Sequence, residues 1–160
     1  MYSGARQCTM VDMLMTGSGP IDAERAFTRA TRARRRGALV RRLRGEPAEC
    51  GRLPVVDERS LQRSGGGLAR GVREIPLSAI RGTLEPSRAA LFDGCFRPTR
   101  AARARWQRLW LAEHRGSTLP PIAVVQVGDT YVVRDGHHRI SVAKARGALT
   151  IDATVGASEA

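Results

Sequence analysis

Two apolar runs in the C-terminal half of the chain are separated by only a Gly-Asp pair. The runs "PPIAVVQV" and "TYVVR" meet at Gly128 and Asp129. Such a short connection between β-rich runs is typical of an antiparallel hairpin. The second run ends at Asp135-Gly136, and a helical pattern, Gly147 and a strand-like "TIDATV" follow. This order of elements predicts a small α+β domain.

The residues before the hairpin extend the same domain. "VREIPLSAI" predicts a short strand, with Pro76 at an edge or at a strand start, and "EPSRAALF" predicts a short helix beginning at Pro86. Residues 99–114 have helical spacing that places Trp106 and Trp110 on one face. We interpret the two tryptophans as core residues, with nucleobase stacking as the alternative.

Composition divides the chain into segments. We expect a disordered N-terminus, a basic amphipathic helix, a linker that contains "RSGGGLARG", an α+β domain with a mixed sheet and packed helices, and a short tail. Their predicted bounds are 1–20, 21–45, 46–71, 72–156 and 157–160. "LPVVD", inside the linker, is either a short strand or a docked extended piece.

The predicted helix over 21–45 has an arginine-rich face. Its small and apolar face holds Ala23, Ala26, Phe27, Ala30, Ala33 and Val40. Its basic face holds Arg25, Arg29, Arg32 and Arg36. One interpretation is a solvated helix packed on the domain, and the other is a basic arm that lies on nucleic acid.

The net charge of +12 and the pI of about 11.4 favour anionic partners, nucleic acid first among them. Lys144 is the only lysine among 27 basic residues, so the arginine content can also reflect coding bias.

The three cysteines, Cys8, Cys50 and Cys95, form no Cys-x-x-Cys pair, which argues against a disulfide framework and fits a reducing cytoplasm. No apolar run reaches about 18 residues, so we expect no membrane span, and since no basic region leads into "MVDMLM" we expect no secretory signal.

The corner at residues 135–139 concentrates polar chemistry. A helix N-terminus offers unpaired N–H groups and a partial positive charge, and Gly136 permits close backbone approach. Arg139 can fork onto phosphate, the histidines can donate to phosphate or exchange protons, and Asp135 can accept from a hydroxyl or help hold Mg²⁺. The corner therefore has the residue types of a phosphate cradle.

A structural interpretation of the corner stays open. Asp135-Gly136 is an ordinary turn pair, and Asp135 can simply cap the helix. His137 and His138 are adjacent, so they cannot both face the same side of a helix, and one of them is expected to be structural. Adjacent histidines also lack the spacing of a zinc-binding helix, and we predict no metal site.

The motifs "REIPLSAI", "PPI" and "DGHHR", with the helix and strand that follow, resemble the ParB/sulfiredoxin superfamily. The likeness covers residues 73–155 and is to the ParB-like N-terminal (ParB-like nuclease) domain in a stand-alone form. It implies a compact α+β fold that binds nucleotide phosphates through Gly136, His137, His138 and Arg139, with Asp135 matching the acidic residue of kinase-like members. Relatives include CTP-binding chromosome-partitioning proteins, ATP-dependent sulfiredoxins, free-serine kinases and nucleases.

The sequence also departs from these relatives. No cysteine stands in the corner, so sulfiredoxin chemistry is not expected, and the helix-turn-helix domain of a partition protein is not expected after residue 155. Glu85 is a candidate general base from its chain position alone. Arg88 and Arg97 are candidate second phosphate contacts on the same ground.

The leading hypothesis is a cytoplasmic, bacterial-type ParB-like protein that binds ATP or CTP with Mg²⁺, or another phosphorylated small molecule, at the corner. His137 and His138, with Glu85, are its candidate catalytic residues. The first alternative is a nucleic-acid-binding accessory or regulatory protein that uses the 21–45 arm. The second is an enzyme, for which a small-molecule kinase or nucleoside triphosphatase is favoured over a nuclease.

Overall fold

The structure, a computed structural model, describes residues 16–47, 51–57 and 71–156. Predictions for residues 1–15, for Cys8 and Cys50, for most of "RSGGGLARG" and for the tail 157–160 lie outside these residues. None of the described helices is long and apolar enough to cross a membrane.

The helices and strands follow one another as predicted from "VREIPLSAI" onward, with one addition. In chain order they are α1 (Gly19–Leu43), β1 (Gly71–Pro76), β2 (Ile80–Thr83), α2 (Pro86–Ala89), α3 (Arg103–His114), β3 (Ile122–Val127), β4 (Thr130–Asp135), α4 (His137–Ala145) and β5 (Thr150–Gly156). The addition is β2, because a short 3₁₀ turn splits the predicted first strand after Pro76. The α+β prediction is confirmed.

The sheet has five strands in the order β1-β5-β3-β4-β2. The β1–β5 and β3–β4 pairs are antiparallel, and the β3–β5 and β2–β4 pairs are parallel. The predicted hairpin turns at Gly128, whose φ is 57°. This mixed sheet carries β4 into the corner next to the end of β2.

The main core lies between the sheet, α4 and the loop between α2 and α3. It is filled by aliphatic side chains and two phenylalanines, among them Ile122, Val133, Ile140, Phe92 and Phe96. Low aromatic content thus gives a core built mainly of Val, Ile, Leu and Ala. Burial of these side chains is the main stabilising contribution to the domain.

A second cluster joins α1 to the domain. Phe27 meets Trp106 edge to face, with ring centroids 5.4 Å apart, and Trp110 is buried beside them. The indole N–H of Trp106 donates to Ser141 Oγ at 2.9 Å, so both polar ends are satisfied. The core interpretation of the tryptophans is confirmed, and so is the interpretation of α1 as a helix packed on the domain.

The packed face of α1 is shorter than the predicted one. Ala23, Ala26 and Phe27 are buried, but Val40 is 43% exposed. The helical period places Val40 on the same face, but a period in the sequence does not show where the buried part of that face ends.

The described part of the predicted linker is docked. Leu53 is 2% exposed in the main core, and residues 54–56 pair with the end of β2. Thr83 N donates to Pro54 O at 2.9 Å, and Val56 N donates to Thr83 O at 2.8 Å. The docked alternative for "LPVVD" is the one that the structure adopts.

Candidate functional site

Gly136 forms the corner between β4 and α4, and only glycine fits there. Its φ is 106°, in the region that disfavours side chains. A Cβ atom at this position would lie 2.4 Å from Ile122 Cγ2, well inside contact distance. The absent side chain therefore lets the start of α4 close directly onto β3.

The first turn of α4 keeps its amide groups available. Gly136 is the N-cap, and no side chain caps the helix. The N–H groups of His137, His138 and Arg139 therefore have no helical acceptor. The alternative in which Asp135 caps the helix was wrong: its carboxylate instead contacts Arg139 Nη2 at 2.6 Å.

Arg139 is a structural clamp at the corner. Its Nη1 donates to the carbonyl oxygens of Pro120 at 2.5 Å and Pro121 at 2.7 Å, and its Nη2 donates to Asp135. The side chain is only 12% exposed. Arg139 thus holds the residues just before β3 against α4, and two of its nitrogens already donate to protein acceptors.

His137 points toward the end of β2. Its Nε2 lies 2.6 Å from Thr83 Oγ1, which is also 3.2 Å from the Val133 carbonyl and accepts the Glu85 N–H at 2.9 Å. With the hydroxyl proton directed to Val133, His137 Nε2 carries the imidazole proton and donates to Thr83. Burial lowers the pKa of His137 to about 4, so the ring is neutral near pH 7.

His138 is also buried, at 6% exposed, and meets Phe92 edge to face at 5.0 Å. Burial, with the nearby charges of Arg105 and Arg88, lowers its pKa to about 4. Both histidines are therefore neutral near pH 7 and packed on Phe92, whose ring also stacks with His137.

These residues surround a cavity of about 280 Å³, which we call the corner cavity. Its lining consists of Arg88, Arg105, Leu109, Pro120, Asp135, Gly136, His137, His138 and Arg139. Three arginines face one aspartate, and that aspartate is already paired with Arg139. The side chains of Arg88 and Arg105 form no hydrogen bond or ion pair with a described residue. The lining is therefore electropositive and holds two uncommitted guanidinium groups.

The structure brings together six of the eight residues singled out from the sequence. Glu85 is exposed and does not line the corner cavity, although its N–H reaches Thr83. Arg97 lies on the far side of the core, where its Nη1 donates to Ala33 O at 3.1 Å and is 3.9 Å from Asp93 Oδ2. Neither side chain belongs to this site.

Sequence reasoning missed Thr83 and Arg105. Thr83 lies beyond the end of the predicted "VREIPLSAI" strand, and Arg105 is one of several arginines on its helix with no distinguishing pattern. A helical projection of residues 99–114 separates Arg105 from Trp106 but does not show that Arg105 faces α4. Within the described residues, no group of three His, Cys, Asp or Glu side chains could hold a metal ion.

Comparisons with known proteins give matches only among solved structures. No family model matches the chain, and the search of curated proteins finds no match. Nine chains of solved structures match. One is a sulfiredoxin from Arabidopsis thaliana, with 24% identity and a TM-score of 0.40 over 54% of this chain and 88% of that chain.

Proposed function

We propose that the corner cavity binds the phosphate groups of a phosphorylated ligand, a nucleoside triphosphate in the first instance. The observation that carries the proposal is the placement of two uncommitted arginines, Arg88 and Arg105, opposite the uncapped first turn of α4. Helix N-termini bind anions through their free N–H groups, and arginine binds phosphate through paired N–H donors.

The size of the cavity favours part of a nucleotide over the whole. Small-molecule pockets run from about 300 to 1,000 Å³, and the corner cavity has about 280 Å³. We therefore assign it to the phosphates, with the nucleoside outside. Mg²⁺ accompanies ATP or CTP by binding phosphate oxygens, and Asp135 is the carboxylate on this wall that suits such an ion.

Roles differ among the corner residues. Arg88, a candidate phosphate contact from the sequence, and Arg105 supply the guanidinium contacts, in place of Arg139. Arg139 acts as a positioning residue, because it holds residues 120–121 against α4. The neutral imidazole of His138 provides one N–H donor and one acceptor without adding charge, whereas the N–H of His137 is already donated to Thr83.

Isothermal titration of the full chain with ATP, CTP and GTP in the presence of Mg²⁺ tests the proposal. We expect Arg88→Ala and Arg105→Ala each to weaken binding by about 1.5–3 kcal/mol, the scale of a charged hydrogen bond. Arg108→Ala is the matched control, since Arg108 is exposed on the same helix as Arg105 and lies outside the cavity. A folded protein that binds none of the three nucleotides, or an equal loss in Arg108→Ala, contradicts the proposal.

A second candidate function is nucleic-acid binding by α1. The two acids of this helix are engaged elsewhere: Asp22 accepts from Thr16, and Glu24 accepts from Arg103 and Gln107. Arg25, Arg32 and Arg35 are exposed and form no ion pair with a described residue. A row of unpaired arginines of this kind suits a phosphate backbone.

Deletion of α1 would expose Trp106 and Trp110, so point substitutions are the better test. We expect duplex DNA binding to fall steeply with salt, and Arg32→Ala with Arg35→Ala to reduce the slope of log affinity against log salt by about two. Arg108→Ala serves as the control. A salt-independent affinity, or an unchanged slope in the double variant, excludes this function.

A further inference from the structure

A second and larger cavity, of about 490 Å³, lies between α1, the loop at residues 95–98 and the C-terminal half of α4. We call it the α1–α4 cavity. It uses Ser141, Lys144 and Ala145 of α4, whereas the corner cavity uses the first turn of that helix. The two cavities share no lining residue.

Small side chains on α1 create the space. Ala26, Ala30 and Ala33 recur at intervals of four and three residues, which places them on one helical face toward the domain. On the neighbouring stripe of the helix, Phe27 fills the gap to Trp106. Where α1 offers only alanine, the gap remains open.

Cations line this space, and one of them, Arg97, is paired with Asp93 at 3.9 Å. Arg29, Arg36, Arg97 and Lys144 line the cavity, and no aspartate or glutamate does. Arg29 and Arg36 form no ion pair with a described residue. Because Arg97 is paired with Asp93, the charge that attracts an anion into this volume comes mainly from Arg29, Arg36 and Lys144.

Lys144 is held partly away from water at this cavity. Its Nζ sits 5.1 Å from the centroid of the Phe96 ring, half-buried, and burial lowers its pKa. A bound anion offsets the cost of keeping this ammonium group away from water.

The floor of the cavity is apolar and held in a fixed shape. Phe96 has a φ of 61°, the one non-glycine residue with positive φ among those described. The Asp93 carboxylate holds this turn by accepting the N–H groups of Cys95 at 3.0 Å and Arg97 at 2.8 Å. Phe96 and Pro98 thus present a rigid apolar surface below the cations.

We propose that the α1–α4 cavity binds a small amphipathic anion, a phosphate or carboxylate group carried on an apolar body. The charged group is recognised by Lys144, Arg29 and Arg36, and the apolar body lies against Phe96, Pro98 and the alanines of α1. This site is independent of nucleotide binding at the corner.

Cys95 lines the cavity and is exposed, so it can report occupancy. The rate of its alkylation by iodoacetamide is followed by peptide mass spectrometry, which separates Cys95 from Cys8 and Cys50. Phenyl phosphate and phenylacetate are the two probes, one for each headgroup. Inorganic phosphate lacks the apolar body, and benzyl alcohol lacks the charge.

We expect at least one charged aromatic probe, at millimolar concentration, to slow Cys95 alkylation severalfold. The more protective of the two probes identifies the headgroup. Inorganic phosphate and benzyl alcohol should each protect more weakly. Protection by benzyl alcohol equal to that by the charged probes overturns the role of the cations, and equal protection by inorganic phosphate overturns the role of the apolar floor. Absence of protection by both charged probes overturns the site.

Variants separate this site from the corner. Lys144→Met removes the charge with little loss of length and should weaken the protecting probe about tenfold, or about 1.4 kcal/mol. Ala33→Leu fills the cavity and should give a similar loss. Arg42→Ala, exposed on α1 outside the cavity, and Arg105→Ala should leave protection unchanged. A loss of protection in Arg105→Ala, or full protection in both Lys144→Met and Ala33→Leu when these variants are folded, contradicts the proposal.

Discussion

The two ends of α4 carry cavities of different construction. At its N-terminus the corner cavity is enclosed by the ends of sheet strands, by α3 and by a clamped arginine. At its C-terminus the α1–α4 cavity depends on a helix docked from outside the sheet domain. The first is part of the domain itself, whereas the second exists only while α1 is in place. Substitutions and pH changes that act on one cavity should therefore leave the other unaffected.

The largest expected effect is a loss of stability in acid that originates at the corner. The pKa of His137 and of His138 is about 4 in the folded chain and near 6.5 in the unfolded chain. Below pH 6.5 the unfolded state binds more protons, so stability falls as the pH drops toward 4 and levels off below it. The upper limit is about 1.4 kcal/mol per pH unit for each histidine, and solvent access at the cavity mouth reduces it.

Urea denaturation between pH 7.5 and 4 measures this slope, and a His138→Gln variant should flatten it. An acid slope that stays the same in this variant would contradict the assignment of neutral imidazoles.

The other end of α4 should respond at alkaline pH, because burial lowers the pKa of Lys144. There the unfolded state again holds the proton longer, so Lys144 makes stability rise with pH.

Gly136→Ala should break the corner alone. The added methyl group collides with Ile122, and the backbone must leave its φ of 106°. We expect a loss of about 3 kcal/mol or more in the free energy of unfolding, measured by urea titration. Gly147→Ala is the matched control, with φ 78° and nothing within 4 Å of the new Cβ. It should cost about 1 kcal/mol, and equal losses in the two variants would show that conformation alone, and not close packing, requires Gly136.

Phe27→Ala should affect the α1–α4 cavity at the C-terminal end of α4. It removes the ring that packs on Trp106 and should cost about 3 kcal/mol. Because α1 then releases, Cys95 protection should be lost while nucleotide affinity at the corner persists. Retained protection would mean that the α1–α4 cavity does not need the docked helix. Alkylation kinetics and nucleotide titration on the same preparation decide between these outcomes.

Arg139→Ala should give the smallest of the four effects. It leaves the carbonyls of Pro120 and Pro121 and the Asp135 carboxylate without their donor, at a cost of about 1.5–3 kcal/mol in stability. Arg139→Lys should not restore it, because an ammonium group lacks the planar fork. Arg105→Ala, by contrast, should lower ligand affinity with little change in thermal stability. If Arg139→Ala leaves stability unchanged and weakens nucleotide binding, Arg139 contacts the ligand directly and is not a positioning residue.

Local patterns were sufficient for much of the fold. The hairpin at Gly128, the helix after Asp135-Gly136 and the final strand each follow from neighbouring residues, and the structure has all three. The strand β2 was missed because it has four residues and pairs in parallel with β4, about 50 residues later. Parallel pairing of distant segments leaves no local signature.

The same contrast applies to the site. The corner residues were found together because they are adjacent in the chain. The division of roles among arginines was not predictable, since it depends on which carbonyls lie beside each guanidinium group. Arg139 meets Pro120 and Pro121, Arg97 meets α1, and Arg105 meets no described acceptor. In a chain where nearly every basic residue is arginine, composition does not distinguish a clamp from a binding residue.

The docked segment at residues 51–57 sets a limit on fragment design. Pro54 and Val56 hydrogen-bond the backbone of Thr83, and the hydroxyl of Thr83 holds His137. The sequence places the boundary of the sheet domain at residue 72. A fragment that begins there would lack Leu53 of the core and the two backbone hydrogen bonds that Thr83 makes with Pro54 and Val56. A minimal fragment that preserves the corner must therefore begin before residue 51, even if α1 is dispensed with.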